Sequence, residues 1–436
     1  MHKLSKLKNG MSVITMPLAG TKAVTVLAMF PVGSRYEDKK LSGASHFVEH
    51  MMFKGTTKRP DYLEISRELD AAGAEFNAFT YKDYTGYYIK ISSAKLDLAF
   101  DLLDDMVYHS VFSAEEIEKE KGVIVEEIRM YEDNPTMAVD LLFDRVMFGN
   151  HPLGRDIAGT AQSVRALSRA DLWNYYKKHY VPKNMILAVA GNFQPAALKK
   201  YLKCFADEKA TGSNALEFKK FAWPGAGGTG SAGAKIPLAN KIELSQRKVD
   251  QAHVILGFPG LKYTHPDRYA EAVLLTILGG GMSSRLFVEV REKRGLAYMV
   301  RAGSASFKDV GAVAVQAGLD PSRLHDALKV IKSEIIKIQK DLVSAKELAD
   351  AKTNIAGKLD LAMEDSSAQS QWFARQFLFG DKMETYEEFI KNVKKVTAGE
   401  VRRVAQKILD LKQMKMAIVG PDDKAKITKL FAYVCE

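Results

Sequence analysis

The sequence predicts an α+β chain folded as two similar lobes, each a mixed or antiparallel β-sheet under a layer of α-helices. Three observations carry this. The chain echoes itself: "MFPVGS" at 29–34 returns as "GFPGLK" at 257–262, "FSAEEIEKEKGVIVEEI" at 112–128 as "VSAKELADAKTNIAGKL" at 343–359, and "MILAVAGN" at 185–192 as "MKMAIVGP" at 414–421, with shifts of 228, 231 and 229 residues. So constant a shift marks an internal duplication of a unit of about 200 residues. The length, 436 residues, exceeds what one ordinary core organises. Strand and helix periods also alternate within each half, which favours helices layered on a sheet.

The elements follow in order. The opening "MHKLSKLKNGMSVITMPLAG" reads as two strands turning at Asn9-Gly10. "VTVLAMF" and "YTGYYIKI" read as further strands, the second with apolar alternation. In "LDLAFDLLDDMVYHSVF", Leu98, Leu102 and Met106 recur at helical spacing and give an amphipathic helix; "RLHDALKVIKSEIIKIQK" does the same in the second half. Between the copies, "PGAGGTGSAGAK" at 224–235 has no apolar period and reads as a flexible tether. The expected division is therefore 1–222 for the first lobe, 223–240 for the linker and 241–436 for the second lobe.

Composition narrows the functional classes. Hydrophobic residues make up 47% and charged residues 27%, as in soluble globular proteins, and no apolar run is long enough for a membrane span. The first residues contain no long apolar segment and no small-residue cleavage site, and Cys204 and Cys435 alone build no disulfide framework, so a cytoplasmic location is expected. The net charge of +10 comes from bases interleaved with acids, as in "EEIEKEKGVIVEEIRMYED", without a basic run set among aromatics. That pattern argues against a nucleic-acid partner.

One stretch carries chemistry. In "SHFVEHMM", His46 and His50 are four apart and share one helical face, with Glu49 at its edge. Two imidazoles and a carboxylate are the inventory of a zinc site with a general base. A third ligand has to come from elsewhere, and "EKEKGVIVEEI" at 118–128 offers it. Glu120 and Glu127 are seven apart and lie on one helical face, whereas Glu126 is turned about 100° from Glu127. On residue type alone, all three remain candidates.

His46-Phe47-Val48-Glu49-His50, followed by "MMFKGT", resembles the inverted zinc motif of the pitrilysin-like (inverzincin) metallopeptidases, in the branch of mitochondrial processing peptidase and its bacterial homologues. The resemblance extends over "GAEFNAFT", "YYIK", "GNHPLGRDIAGT" and "SSRLFVEVREKRGLAY". It implies a clamshell of two lobes and a zinc-dependent endopeptidase with one Zn2+ per chain. His46, His50 and Glu127 would hold the metal, Glu127 being the second glutamate of the family's Glu-x6-Glu pair; Glu120 would support the ligands, and Glu126 is the fallback. Glu49 would be the base that activates water. The second copy has "TILGGGMSS" at the motif position and Lys358 opposite Glu127, so it would bind no zinc in this way. In its place it would supply Arg291 and Tyr298 to hold the substrate and stabilise the oxyanion.

Asn77, Ala78 and Phe79 would take up the substrate as an added β-strand. Asp140 and Asp144, four apart, would read an arginine near the cleaved bond. The resemblance further implies peptide or unfolded polypeptide substrates and pairing as a homodimer, or as a heterodimer with an inactive homologue. The rival reading is a non-catalytic assembly or partner subunit of the same fold.

Overall fold

A computed structural model describes residues 2–208, 220, 241–380 and 382–435; the expected linker at 223–240 lies outside the described residues. In the first half run β1 (Lys3–Lys6), β2 (Ser12–Pro17), β3 (Ala23–Phe30), α1 (Ala44–Met51), α2 (Tyr62–Ala71), β4 (Glu75–Thr80), β5 (Thr85–Ser92), α3 (Leu96–His109), α4 (Ala114–Asp133), α5 (Pro135–Phe148), α6 (Ala161–Ala166), α7 (Arg169–His179), β6 (Ile186–Gly191) and α8 (Leu198–Asp207). In the second run β7 (Ile242–Gln246), β8 (Ala252–Gly260), α9 (Arg268–Gly279), β9 (Ala297–Ser306), β10 (Gly311–Leu319), α10 (Leu324–Lys340), α11 (Ala345–Met363), α12 (Ser366–Phe379), α13 (Tyr386–Lys395), α14 (Ala398–Ile408), β11 (Lys415–Gly420) and α15 (Lys424–Cys435).

The first compact unit comprises 1–129, 155–219 and 360–384. Its sheet has the order β1-β2-β6-β3-β5-β4, antiparallel except for the β2–β6 pair. The β1–β2 hairpin turns where Asn9-Gly10 predicts, with Gly10 at φ +94°. Along β3 the period of two assigns the faces: Val24, Val26, Ala28 and Phe30 enter the core shared with α1 and α3. Thr25 faces the other way, and its hydroxyl is 2.8 Å from that of Ser366 on α12. Both faces are therefore covered, which is why β3 and β6 read as continuous apolar runs.

The second unit comprises 130–154, 220–359 and 385–436, with the sheet order β7-β11-β8-β10-β9. Here Val254, Leu256 and Phe258 of β8 join the core with α9, α10 and α14, while Ile255 turns to α5 with Ala417 and Val419. A Cβ on Gly257 would meet Met147 Sδ and the Phe143 ring at 2.6 Å, so glycine is what lets α5 approach. Both units thus repeat one plan, a mixed sheet with helices, in agreement with the α+β two-lobe expectation.

One correction follows. The units are not the contiguous stretches 1–222 and 241–436, because α5 of the first half covers the second sheet and α12 of the second half covers the first. The cause is the doubly apolar sheets, each of which needs a helix on its second face.

Candidate metal centre

The helix α1 starts at Gly43, where φ is +96° and a Cβ would lie 2.6 Å from the carbonyl oxygen of Ala158. Buried Glu37 accepts the N–H groups of Gly43 at 2.9 Å and Ser45 at 2.7 Å, which answers the unpaired donors of the first turn. Phe47, Val48 and Met51 are fully buried. Their burial fixes the helix rotation and leaves His46, Glu49 and His50 on the other side. On α4, Ile117, Ile124 and Ile128 anchor the core and turn Glu120 and Glu127 toward α1.

The ligand atoms converge. Glu127 Oε2 lies 3.6 Å from His46 Nε2 and 3.4 Å from His50 Nε2, and the two rings stand edge to face at 4.6 Å. One atom from each of His46, His50 and Glu127 falls within 4.8 Å of the others. Two imidazole nitrogens and one carboxylate oxygen are a donor set that suits zinc. Glu126 points elsewhere: it is 69% exposed and pairs with Arg129 at 2.6 Å.

Electrostatics follow from the packing. Burial, and next the neighbouring His50, push the His46 pKa down to about 4, so this ring is neutral as a ligand must be. His50 lies at about 9; burial opposes its charge, but hydrogen bonds to Glu120 and Glu127 outweigh it, and a metal at Nε2 would take the place of the proton facing Glu127. Glu127 is held below its ordinary value, chiefly by the His50 hydrogen bond. Glu120, 2% exposed, is also lowered; burial works against this, and His50 at 3.0 Å and Lys54 at 2.6 Å prevail.

Glu49 stands beside this group. Its Oε2 accepts a hydrogen bond from the Thr80 hydroxyl at the end of β4, and burial is the main cause that raises its pKa. β4 is an edge of its sheet, packed along α1 and paired only with β5 among the described residues. Asn77, Ala78 and Phe79 all lie on this edge. Phe79 is seated on Gly86 opposite, where a Cβ would come within 2.3 Å of its ring.

The remaining candidates belong to the second unit. Arg291 sits on a π-helical turn, Phe287–Glu292, with its guanidinium 4.7 Å from the Phe287 ring and 5.3 Å from that of Tyr298. Tyr298 is 73% exposed near the start of the edge strand β9. Phe287 also packs against the core of this unit, and π turns recur at functional sites. Asp140 and Asp144 lie on α5; Asp140 is exposed and feels the charges of Arg301 and Asp144. Lys358, opposite Glu127 in the repeat, donates to the Gly280 carbonyl at 3.0 Å.

A second acid–histidine group, Asp104, His109 and Glu208, gathers where α3 and α8 end. Burial, and next Glu208, raise Asp104 to about 7. His109 Nε2 lies 3.3 Å from Glu208 and 3.8 Å from Asp104. Sequence reasoning missed Thr80 and Lys54. Both lie in stretches quoted above, but their contacts depend on β4 and α4 lying against α1.

Comparison with known proteins matches the Insulinase (Peptidase family M16) pattern over residues 12–161 and the Peptidase M16 inactive domain pattern over 166–355. The chain belongs to peptidase family M16. An uncharacterized zinc protease of Streptomyces coelicolor is 39% identical over 415 residues, 95% of this M16 chain and 88% of that protein. The uncharacterized zinc protease YmxG of Bacillus subtilis is 32% identical over 415 residues, covering 95% and 97%. Among solved structures, a protease from Helicobacter pylori matches with TM-score 0.86 at 24% identity over 97% of this chain and 99% of that one. An M16 inactive domain from Pseudomonas fluorescens matches at 0.87 and 22% identity, over 97% and 98%. These structures share the M16 fold. The second pattern begins beyond the His46–His50 motif and reaches residue 355, within the copy that lacks it.

Proposed function

We propose that this M16 protein is a zinc-dependent endopeptidase acting on peptides or unstructured polypeptide segments. One observation carries the reading: the ligand atoms of His46, His50 and Glu127 lie within 4.8 Å of one another, with Glu49 beside them, oriented by Thr80. One Zn2+ per chain suits the one cluster of two nitrogens and one oxygen found among the described residues. Zinc held by His46, His50 and Glu127 would supply Lewis acidity to a water and to the scissile carbonyl. Glu49 takes the proton from the attacking water and returns it to the leaving amine. The free edge of β4 at Asn77–Phe79 receives the substrate backbone as an additional strand, which selects extended segments over folded ones.

Arg291 and Tyr298 bind the substrate and stabilise the oxyanion, and Asp140 with Asp144 favours a basic residue near the scissile bond. The protein works in the cytoplasm as a homodimer or beside an inactive homologue. Among the described residues no helix is long and apolar enough to cross a membrane.

The test is cleavage of a library of unstructured peptides by the purified protein, a chelator-treated sample and Glu49→Gln, with zinc measured on each. Cleavage by the first alone, with zinc retained in the variant, is the expected result. Cleavage by Glu49→Gln equal to the parent's overturns the role of the base. A zinc-loaded protein that cleaves nothing points instead to the non-catalytic partner subunit.

A further inference from the structure

We propose that Lys54 is a positioning residue for the metal site, acting through Glu120 on His50; the inference rests on the zinc reading above. The turn that ends α1 fixes where Lys54 begins. Its N–H donates to the Met51 carbonyl at 3.1 Å. Gly55 follows at φ +101°, where a Cβ would lie 2.6 Å from the Pro60 carbonyl oxygen. A side chain at that glycine is disfavoured twice, by conformation and by space, so the turn has one shape.

From this turn the Lys54 ammonium reaches Glu120 Oε1 at 2.6 Å, with the Tyr62 ring 5.5 Å beneath it. The other Glu120 oxygen, Oε2, is 3.0 Å from His50 Nδ1. Burying a carboxylate is costly unless both its oxygens are answered. Here one oxygen is answered by a fixed cation and the other by the ligand ring. A donor at Nδ1 leaves the lone pair on Nε2, the nitrogen that faces Glu127 at 3.4 Å. Glu120 therefore sets both the tautomer and the tilt of His50, as carboxylates behind metal-bound histidines do.

Lys54 in turn sets Glu120. Without the ammonium, half of the buried carboxylate's bonds are missing, and it is free to leave the ring for water. The competing account is a plain ion pair that ties α1 to α4 and does nothing for the metal. The two accounts part over where the loss shows: in metal affinity, or in the stability of the metal-free fold.

Zinc affinity is measured by competition with a chelator on full-length protein, for the parent, Lys54→Met, Lys54→Arg, Glu120→Gln and the double variant Lys54→Met/Glu120→Gln. Thermal unfolding of each metal-free protein runs alongside. Loss of such a supporting partner weakens metal binding roughly 10- to 100-fold, and this is expected for Lys54→Met, with affinity largely kept in Lys54→Arg. Because Lys54 acts through Glu120, the double variant binds zinc no more weakly than Glu120→Gln alone.

Parental affinity in Lys54→Met, or losses that add in the double variant, overturns the proposal. So does a loss of affinity matched by an equal loss of metal-free stability. A parent protein that holds no zinc removes the metal reading itself, a result distinct from a zinc-loaded parent with an indifferent Lys54→Met.

Discussion

Thr80→Val isolates the orientation of the general base. The hydroxyl of Thr80 donates to Glu49 Oε2, while the Thr80 backbone pairs with Thr85 across β4 and β5. Valine has nearly the same shape and favours strands at least as well, so the sheet keeps its register. What goes is one hydrogen bond to a carboxylate, worth about 1.5–3 kcal/mol. If the bond is needed to aim Glu49 at the attacking water, the loss falls on the chemical step. At 1.36 kcal/mol per tenfold, kcat drops about 10- to 160-fold. KM and zinc content stay at the parental level, since the hydroxyl touches none of His46, His50 and Glu127. The assay is steady-state hydrolysis of a quenched fluorescent peptide, with metal analysis of the same preparation. A kcat within twofold of the parent would show that Glu49 needs no such support. A fall in zinc content would place the effect in the metal site instead.

Three further outcomes are expected. Glu127→Gln abolishes stoichiometric zinc in metal analysis, whereas Glu126→Gln leaves it unchanged, because Glu126 is exposed and paired with Arg129. Gly86→Ala lowers the denaturant midpoint by the equivalent of about 1–3 kcal/mol, because its Cβ would come within 2.3 Å of the Phe79 ring. Asp104→Asn changes the pH dependence of stability. Burial, then Glu208, Asp105 and Asp101, hold Asp104 at about 7 in the fold against 3.8 in the free chain. The folded protein therefore keeps a proton that the unfolded chain has lost. The stability this brings is full below about pH 4 and lost as pH rises through 7, on the order of 4 kcal/mol in all. Asn removes that loss, so denaturation at pH 8 shows the variant gaining more over the parent than at pH 5; equal gains at both would refute it.

Much of the site was legible because it is written at helical spacing. His46, Glu49 and His50 fall on one side of α1 because Phe47, Val48 and Met51 must be buried, and Glu120 and Glu127 sit two turns apart on α4. Those positions are local consequences of a 3.6-residue period. Thr80 and Lys54 have no such signature; they matter because β4 runs along α1 and because a fixed turn returns Lys54 to α4. The exchange of α5 and α12 was equally hidden. A run such as "ILAVAG" in β6 declares that both faces are covered, but any apolar helix satisfies that declaration. The π turn at Phe287–Glu292 also leaves no mark in the apolar period.

The second copy places a cation where the first places Glu127. At the shift of 231 residues, Lys358 stands for Glu127, and it meets the carbonyl of Gly280, the counterpart of Glu49, at 3.0 Å. The same shift carries Lys54 to Arg285, which pairs with Glu347 on α11 at 2.8 Å as Lys54 pairs with Glu120 on α4. In both units, then, a cation just beyond the first helix is tied to an acid on the long helix. Lys358 supplies a positive centre from the chain itself, at the point where the first copy gathers its ligands. The second unit thus ties these helices through side chains of the chain itself, while Tyr298, 5.3 Å from the Arg291 guanidinium, stays exposed on it.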